Sequence, residues 1–237
     1  NAFAQLNSQS KSYTYQDTLR GSLGKERTWW DVTHYAVSVE PDFEKKHIFG
    51  KVDIQFKVIG NGDLMQIDLQ APMQLDKAML GNSELKYTRN GNVFFIEVGK
   101  NLPIGSDQQL SLDYSGNVQV AVRPPWDGGW IFSKDKLGRP WMSVACQGLG
   151  ASVWFPCKDH QGDEPDNGAI LKINSADSLV AIGNGRLKNK TKSENYKTTW
   201  EWEVKNPINN YNIQHFVAVV HFYFSTTNLT IHRRISS

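Results

Sequence analysis

Apolar and polar residues alternate with a period of two along most of this chain. From Lys51 to Val58 the apolar set Val52, Ile54, Phe56 and Val58 interleaves with Lys51, Asp53, Gln55 and Lys57. Successive strand side chains point to opposite faces, so this stretch reads as a half-buried strand. Val32 to Val39, Met65 to Leu69, Leu110 to Tyr114 and Thr198 to Val204 repeat the pattern. In the last of these, Trp200, Trp202 and Val204 share a face while Glu201 and Glu203 point away. Asn90-Gly91 lies between the extended runs Leu85 to Thr88 and Val93 to Val98 and signals a tight hairpin. Gly60-Asn61-Gly62-Asp63, Gly81-Asn82 and Gly183-Asn184-Gly185 punctuate the other strands. No window of helical length keeps a period of 3.6. The pattern predicts an all-β fold, a sandwich or an open curved sheet.

Composition narrows the function classes. The net charge is only +2, with no concentrated basic face, which argues against nucleic acid as a partner. No apolar run approaches the roughly 20 residues of a membrane-spanning helix. The longest, Phe216 to Val220, has strand length, so no membrane partner is expected. Two cysteines, Cys146 and Cys157, do not make a disulfide framework; they could be bridged in an oxidising compartment, and packed, reduced thiols are the preferred reading. Ala2-Phe3-Ala4-Gln5 reads either as the end of a secretory signal, which implies a periplasmic or secreted protein, or as an arbitrary flexible start. Three regions follow: a mobile or loosely attached lead-in over residues 1–26, one β domain over 27–220, and a divergent or truncated tail over 221–237.

The segment from Ala145 to Lys172 carries most of the functional information. It sets Gly148, Gly150 and Gly168 among Trp154, Phe155 and Pro156, then runs through Asp159, Asp163, Glu164 and Asp166 into a strand at Ala169 to Ile173. The order Gln147, Phe155-Pro156-Cys157, Asp163-Glu164-Pro165 and strand resembles the N-terminal β-domain of the zinc aminopeptidases related to aminopeptidase N and leukotriene hydrolase. The interval from Cys157 to Asp163 is longer than the family's, so Asp159 and Asp163 are both candidates for its aspartate position. The resemblance runs from Arg27-Thr28-Trp29-Trp30 to about Asn212. It implies a saddle of β-sheets, one large and mixed, with smaller antiparallel ones.

It also implies a division of labour. The family binds zinc through His-Glu-x-x-His on one helix, and none of His34, His47, His160, His215, His221 and His232 opens that motif. The family's Gly-x-Met-Glu-Asn strand is missing too. The chain therefore resembles the non-catalytic front domain, with no cofactor of its own and no peptidase activity alone. Zinc would belong to a separate C-terminal catalytic domain as partner, with peptides as substrates. Gln147 is the candidate substrate-binding residue. In the family the residue here reaches into the cleft and binds the substrate's α-amino group, and an amide oxygen can accept a hydrogen bond from an ammonium. Taken alone, Gln147 reads first as a loop residue bonding local backbone, and the motif context reverses that preference.

Two other constellations have competing readings. Asp159, His160, Asp163, Glu164 and Asp166 could suit a hard cation, but their spacing fits no EF-hand, and capping of loop amides or pairing with Arg and Lys is the expected use. Pro124-Pro125-Trp126-Asp127-Gly128-Gly129-Trp130, with Trp141 beyond, could form a stacking platform, though packing is the preferred expectation. The platform supports an alternative function, a stand-alone carbohydrate- or peptide-binding β-sandwich.

Overall fold

The computed structural model describes residues 13–99, 102–193 and 195–220. The possible signal remnant and the tail from residue 221 lie outside the described residues. A short helix, α1 (Tyr15–Gly21), comes first. The strands of the first half are β1 (Trp30–Asp42), β2 (His47–Val58), β3 (Leu64–Asp68), β4 (Gln74–Leu80), β5 (Ser83–Glu84), β6 (Tyr87–Asn90) and β7 (Val93–Glu97). Then come β8 (Asp107–Asn117), β9 (Gly129–Lys134), β10 (Pro140–Ala145), β11 (Ala169–Ala176), β12 (Val180–Gly183), β13 (Arg186–Lys192), β14 (Lys197–Val204) and β15 (His215–Ala218).

These strands form three sheets among the described residues. The large one has the order β13-β14-β11-β1-β2-β8-β4-β5, and β1 runs parallel to β11, which makes it mixed. A four-stranded antiparallel sheet has the order β12-β15-β10-β9, and a three-stranded one the order β3-β7-β6. The fold is all-β with one large mixed sheet and smaller antiparallel ones, as the resemblance implies.

Alternation becomes core directly. In β2, Ile48, Val52, Ile54 and Phe56 are fully buried, each worth about 1.5–3 kcal/mol relative to exposure. In β1 the buried set changes parity, from Trp30 and Val32 to Tyr35, Val37 and Val39. A bulge between Val32 and His34 causes the change, because one extra residue turns every later side chain to the other face. The hairpin is displaced by one residue from the expected turn: Asn90 pairs with Val93, leaving Gly91 and Asn92 as the loop. Gly91 takes the left-handed conformation there, with φ +60.

Helix α1 has no signature in the hydrophobic period of the sequence. A single short helix holds no repeat, but its start is encoded locally. The Thr14 hydroxyl accepts the Asp17 N–H at 3.2 Å while the Asp17 carboxylate accepts the Thr14 N–H at 2.8 Å, a reciprocal cap.

Candidate functional site

Strand β10 delivers Cys146 to a tight turn that presents Gln147. The Cys146 carbonyl accepts the N–H groups of Leu149 and Gly150 at 3.0 and 2.8 Å. Gly148 and Gly150 have φ of +70 and +81, a region that disfavours any side chain. A Cβ on Gly150 would stand 2.2 Å from the Asp159 carboxylate, so glycine is required there for space as well.

Beneath the turn two members of the acidic run, Asp159 and Asp163, hold backbone amides, as expected. Asp159 accepts the N–H groups of Ala151 and Ser152 at 3.3 and 3.1 Å and the Ser152 hydroxyl at 2.6 Å. The Asp159 N–H itself donates to Asp68 at 3.0 Å. Asp68 is buried and paired with Arg27, which has no exposed surface. Asp163 accepts the Val32 N–H at 3.3 Å and pairs with the buried ammonium of Lys158. Both aspartates that compete for the family position are thus committed to holding the loop. No group of three or more His, Cys, Asp or Glu side chains among the described residues could hold a metal ion. The residues here do not fit zinc.

Gln147 is exposed, and its Oε1 accepts the Tyr211 hydroxyl at 2.8 Å. The pair lies at a groove of about 370 Å³ whose walls include Ile131, Trp141, Gln214 and Phe216. The register explains the apolar wall. Ser143 stands between Ile131 and Phe216, and Trp141 lies 6.1 Å from Phe216, so these side chains share the outer face of the four-stranded sheet. Met142, Val144 and Val217 alternate with them into the core. A face that keeps Trp141 and its neighbours partly in water is unfinished apolar surface.

His215 closes the back of the groove. It is buried, neither ring nitrogen has a partner, and Trp130 and Trp154 pack on it with centroids at 5.0 and 4.9 Å. Burial away from water pushes its pKa down to about 4. Burial, then the nearby Asp159, pushes the Cys146 thiol up to about 12. Cys157 is also raised, chiefly by burial. Both thiols are free and buried, so neither is a nucleophile at neutral pH.

In the aromatic run, Trp130 follows the preferred expectation of packing and leaves the platform reading to its neighbours. Trp130 has no exposed surface and stacks on Phe132 at 5.9 Å, because β9 turns it into the core. Trp126 is 83% exposed and Trp141 37%, so only these two of the trio meet solvent. The Asp127 carboxylate closes the loop beneath Trp126 by accepting the N–H groups of Val122 and Arg123 at 2.8 and 2.6 Å. Tyr211, Arg27 and Asp68 were not singled out from the sequence, since their partners are far away along the chain.

Comparisons with known proteins agree with this fold. Residues 32–211 match the family model of the peptidase M1 N-terminal domain. The chain is similar to a crystal structure of an M1 zinc metallopeptidase from Deinococcus radiodurans, with TM-score 0.68 and 18% identity over 81% of this chain and 43% of that one. It is likewise similar to a point mutant of an M1 zinc metallopeptidase from the same organism bound to a Tyr-Ser-Ala substrate. That match has TM-score 0.69 and 18% identity over 84% of this chain and 44% of the other. A two-domain M1 zinc metallopeptidase mutant bound to L-tryptophan matches with TM-score 0.69 and 18% identity, over 84% of this chain and 45% of that one. No curated protein matches. The chain spans less than half the length of these structural relatives.

Proposed function

The chain belongs to the peptidase M1 N-terminal domain family, and on that premise we propose that it is the non-catalytic front domain of a zinc aminopeptidase. Its role is to supply one wall of the pocket that receives a peptide's first residue. The observation that carries this reading is Gln147, held exposed on a glycine turn at the mouth of a half-apolar groove.

The chemistry follows from the amide. Tyr211 donates to one lone pair of Oε1, which fixes the side chain and leaves the second lone pair for a substrate ammonium. An internal peptide bond offers no ammonium, so this contact selects chain ends. Zinc, bound in a separate domain, would supply the Lewis acid for hydrolysis. That domain would cover the apolar outer face around Ile131, Trp141 and Phe216.

In the full-length protein, cleavage of an aminoacyl p-nitroanilide should require zinc. Gln147→Ala should lower kcat/KM about 10- to 100-fold, the worth of a charge-assisted hydrogen bond. An N-acetylated substrate should be refused by both forms. Zinc-loaded full-length protein that cleaves no aminoacyl substrate would overturn the proposal, as would Gln147→Ala with unchanged kinetics. The rival reading, a glycan- or peptide-binding module, keeps only Trp126 and Trp141 as its surface. It would gain if the isolated chain bound a glycan and lost it on Trp126→Ala.

A further inference from the structure

The turn that carries Gln147 is fastened from outside by the segment that precedes the first strand. Arg20, in the last turn of α1, donates from Nη1 to the Gly148 carbonyl at 2.8 Å, one residue beyond Gln147. Apolar packing does not hold α1 in place, for none of its residues is buried. Polar contacts do. The Gln16 amide donates to Asn90 Oδ1 at 3.0 Å, and the Gln66 amide donates to the Leu19 carbonyl at 3.0 Å.

The root of the segment is anchored more strongly. Arg27 Nη1 donates to the carbonyls of Arg20 and Ser22 at 2.8 and 2.9 Å, while Nη2 pairs with Asp68. Asp68 also accepts the Asp159 N–H, and Asp159 caps the residues that follow Gly150. One ion pair thus ties the underside of the Gln147 turn to the base of the segment that grips its outside. Gly148, at φ +70, has no Cβ to resist rotation of its peptide groups. The Leu149 N–H bond to the Cys146 carbonyl holds one side of the Gly148–Leu149 peptide, and the Arg20 donor on the Gly148 carbonyl holds the other.

We propose that residues 14–27 form a strap that positions Gln147, with Arg20 as the positioning residue acting through the Gly148 carbonyl. The strap itself stands on the geometry above; its effect on substrate rests on the reading of Gln147 as an amine-binding wall. Loss of Arg20 frees the Gly148 carbonyl to bond water and lets the turn sample other orientations. Arg20 is exposed, so global stability should hardly change.

Two measurements separate the strap from the enzymatic reading. In this chain, Arg20→Ala should speed hydrogen exchange at the Leu149 and Gly150 amides about 5- to 10-fold. Exchange in β2 and the melting temperature should stay as in the wild type. The Gln147 side-chain amide resonance should shift in Arg20→Ala and return toward its wild-type position in Arg20→Lys, whose ammonium can still donate to a carbonyl. Unchanged exchange and an unmoved amide signal would overturn the strap, whatever the full-length protein cleaves. In the full-length protein, Arg20→Ala should raise KM for an aminoacyl p-nitroanilide about 3- to 10-fold with kcat held. A looser turn with unchanged KM would overturn the link to substrate. A wild type that cleaves nothing would overturn the aminopeptidase reading instead and leave the strap decided by exchange.

Discussion

Arg27→Ala is expected to lose about 3–5 kcal/mol of folding stability, the largest effect of any single polar substitution considered for this domain. Arg27 and Asp68 are both buried, and removing the guanidinium leaves a carboxylate without its counter-charge. Burial raises the Asp68 pKa and Arg27 opposes that rise, so the variant would favour a protonated Asp68. The carbonyls of Arg20 and Ser22 lose their donor in the same step. Chemical denaturation measures the loss, and a change below about 1 kcal/mol would contradict the account. The double variant Arg27→Met with Asp68→Leu should recover part of it, because two apolar groups need no counter-charge. Recovery should be incomplete, since the Asp159 N–H would then lack an acceptor.

Acidification should weaken the domain through His215, and the sign is fixed by its environment. The folded pKa lies at about 4 and the ordinary value is 6.5, so between them the unfolded chain binds the extra proton. The stability contributed by a neutral imidazole is present above the unfolded pKa and is lost as pH falls toward 4. At pH 4.5 the loss amounts to roughly 2–3 kcal/mol relative to pH 7. His215→Phe keeps a flat ring between Trp130 and Trp154 and removes the titration. Urea midpoints at the two pH values, compared between wild type and variant, isolate this residue from the carboxylates common to both. Equal pH slopes would refute the assignment.

Where the sequence was informative, local physics was decisive. Period-two alternation gives the end of β2 from Lys51 and the middle of β8 from Leu110 to Tyr114, because inward and outward side chains are set by the pleat alone, while β2 begins earlier, at His47, and β8 spans Asp107–Asn117. Period could not show the bulge at Val32 and His34, which depends on how β2 pairs alongside. Trp130 and Trp126 lie close together in sequence, yet the strand pleat and the loop geometry send one inward and leave the other in solvent. The candidate Gln147 comes from the order of its motif. Its support does not. Tyr211, Arg20 and Asp68 reach the turn from 64, 128 and, through Asp159, 91 positions away, and such contacts leave no local trace.

The parallel pairing of β1 with β11 has a consequence for biosynthesis. Tyr35 lies beside Ala169, so the first strand leaves the ribosome long before the neighbour that completes the middle of its sheet. At typical translation speeds the wait is on the order of ten seconds. During it, β2 and β8 can already assemble beside β1 as an antiparallel meander, but the opposite side of β1 keeps a row of bare amides and carbonyls. A nascent chain stalled short of Ala169 therefore carries an adhesive flank, which makes the half-made domain a natural client for holding chaperones.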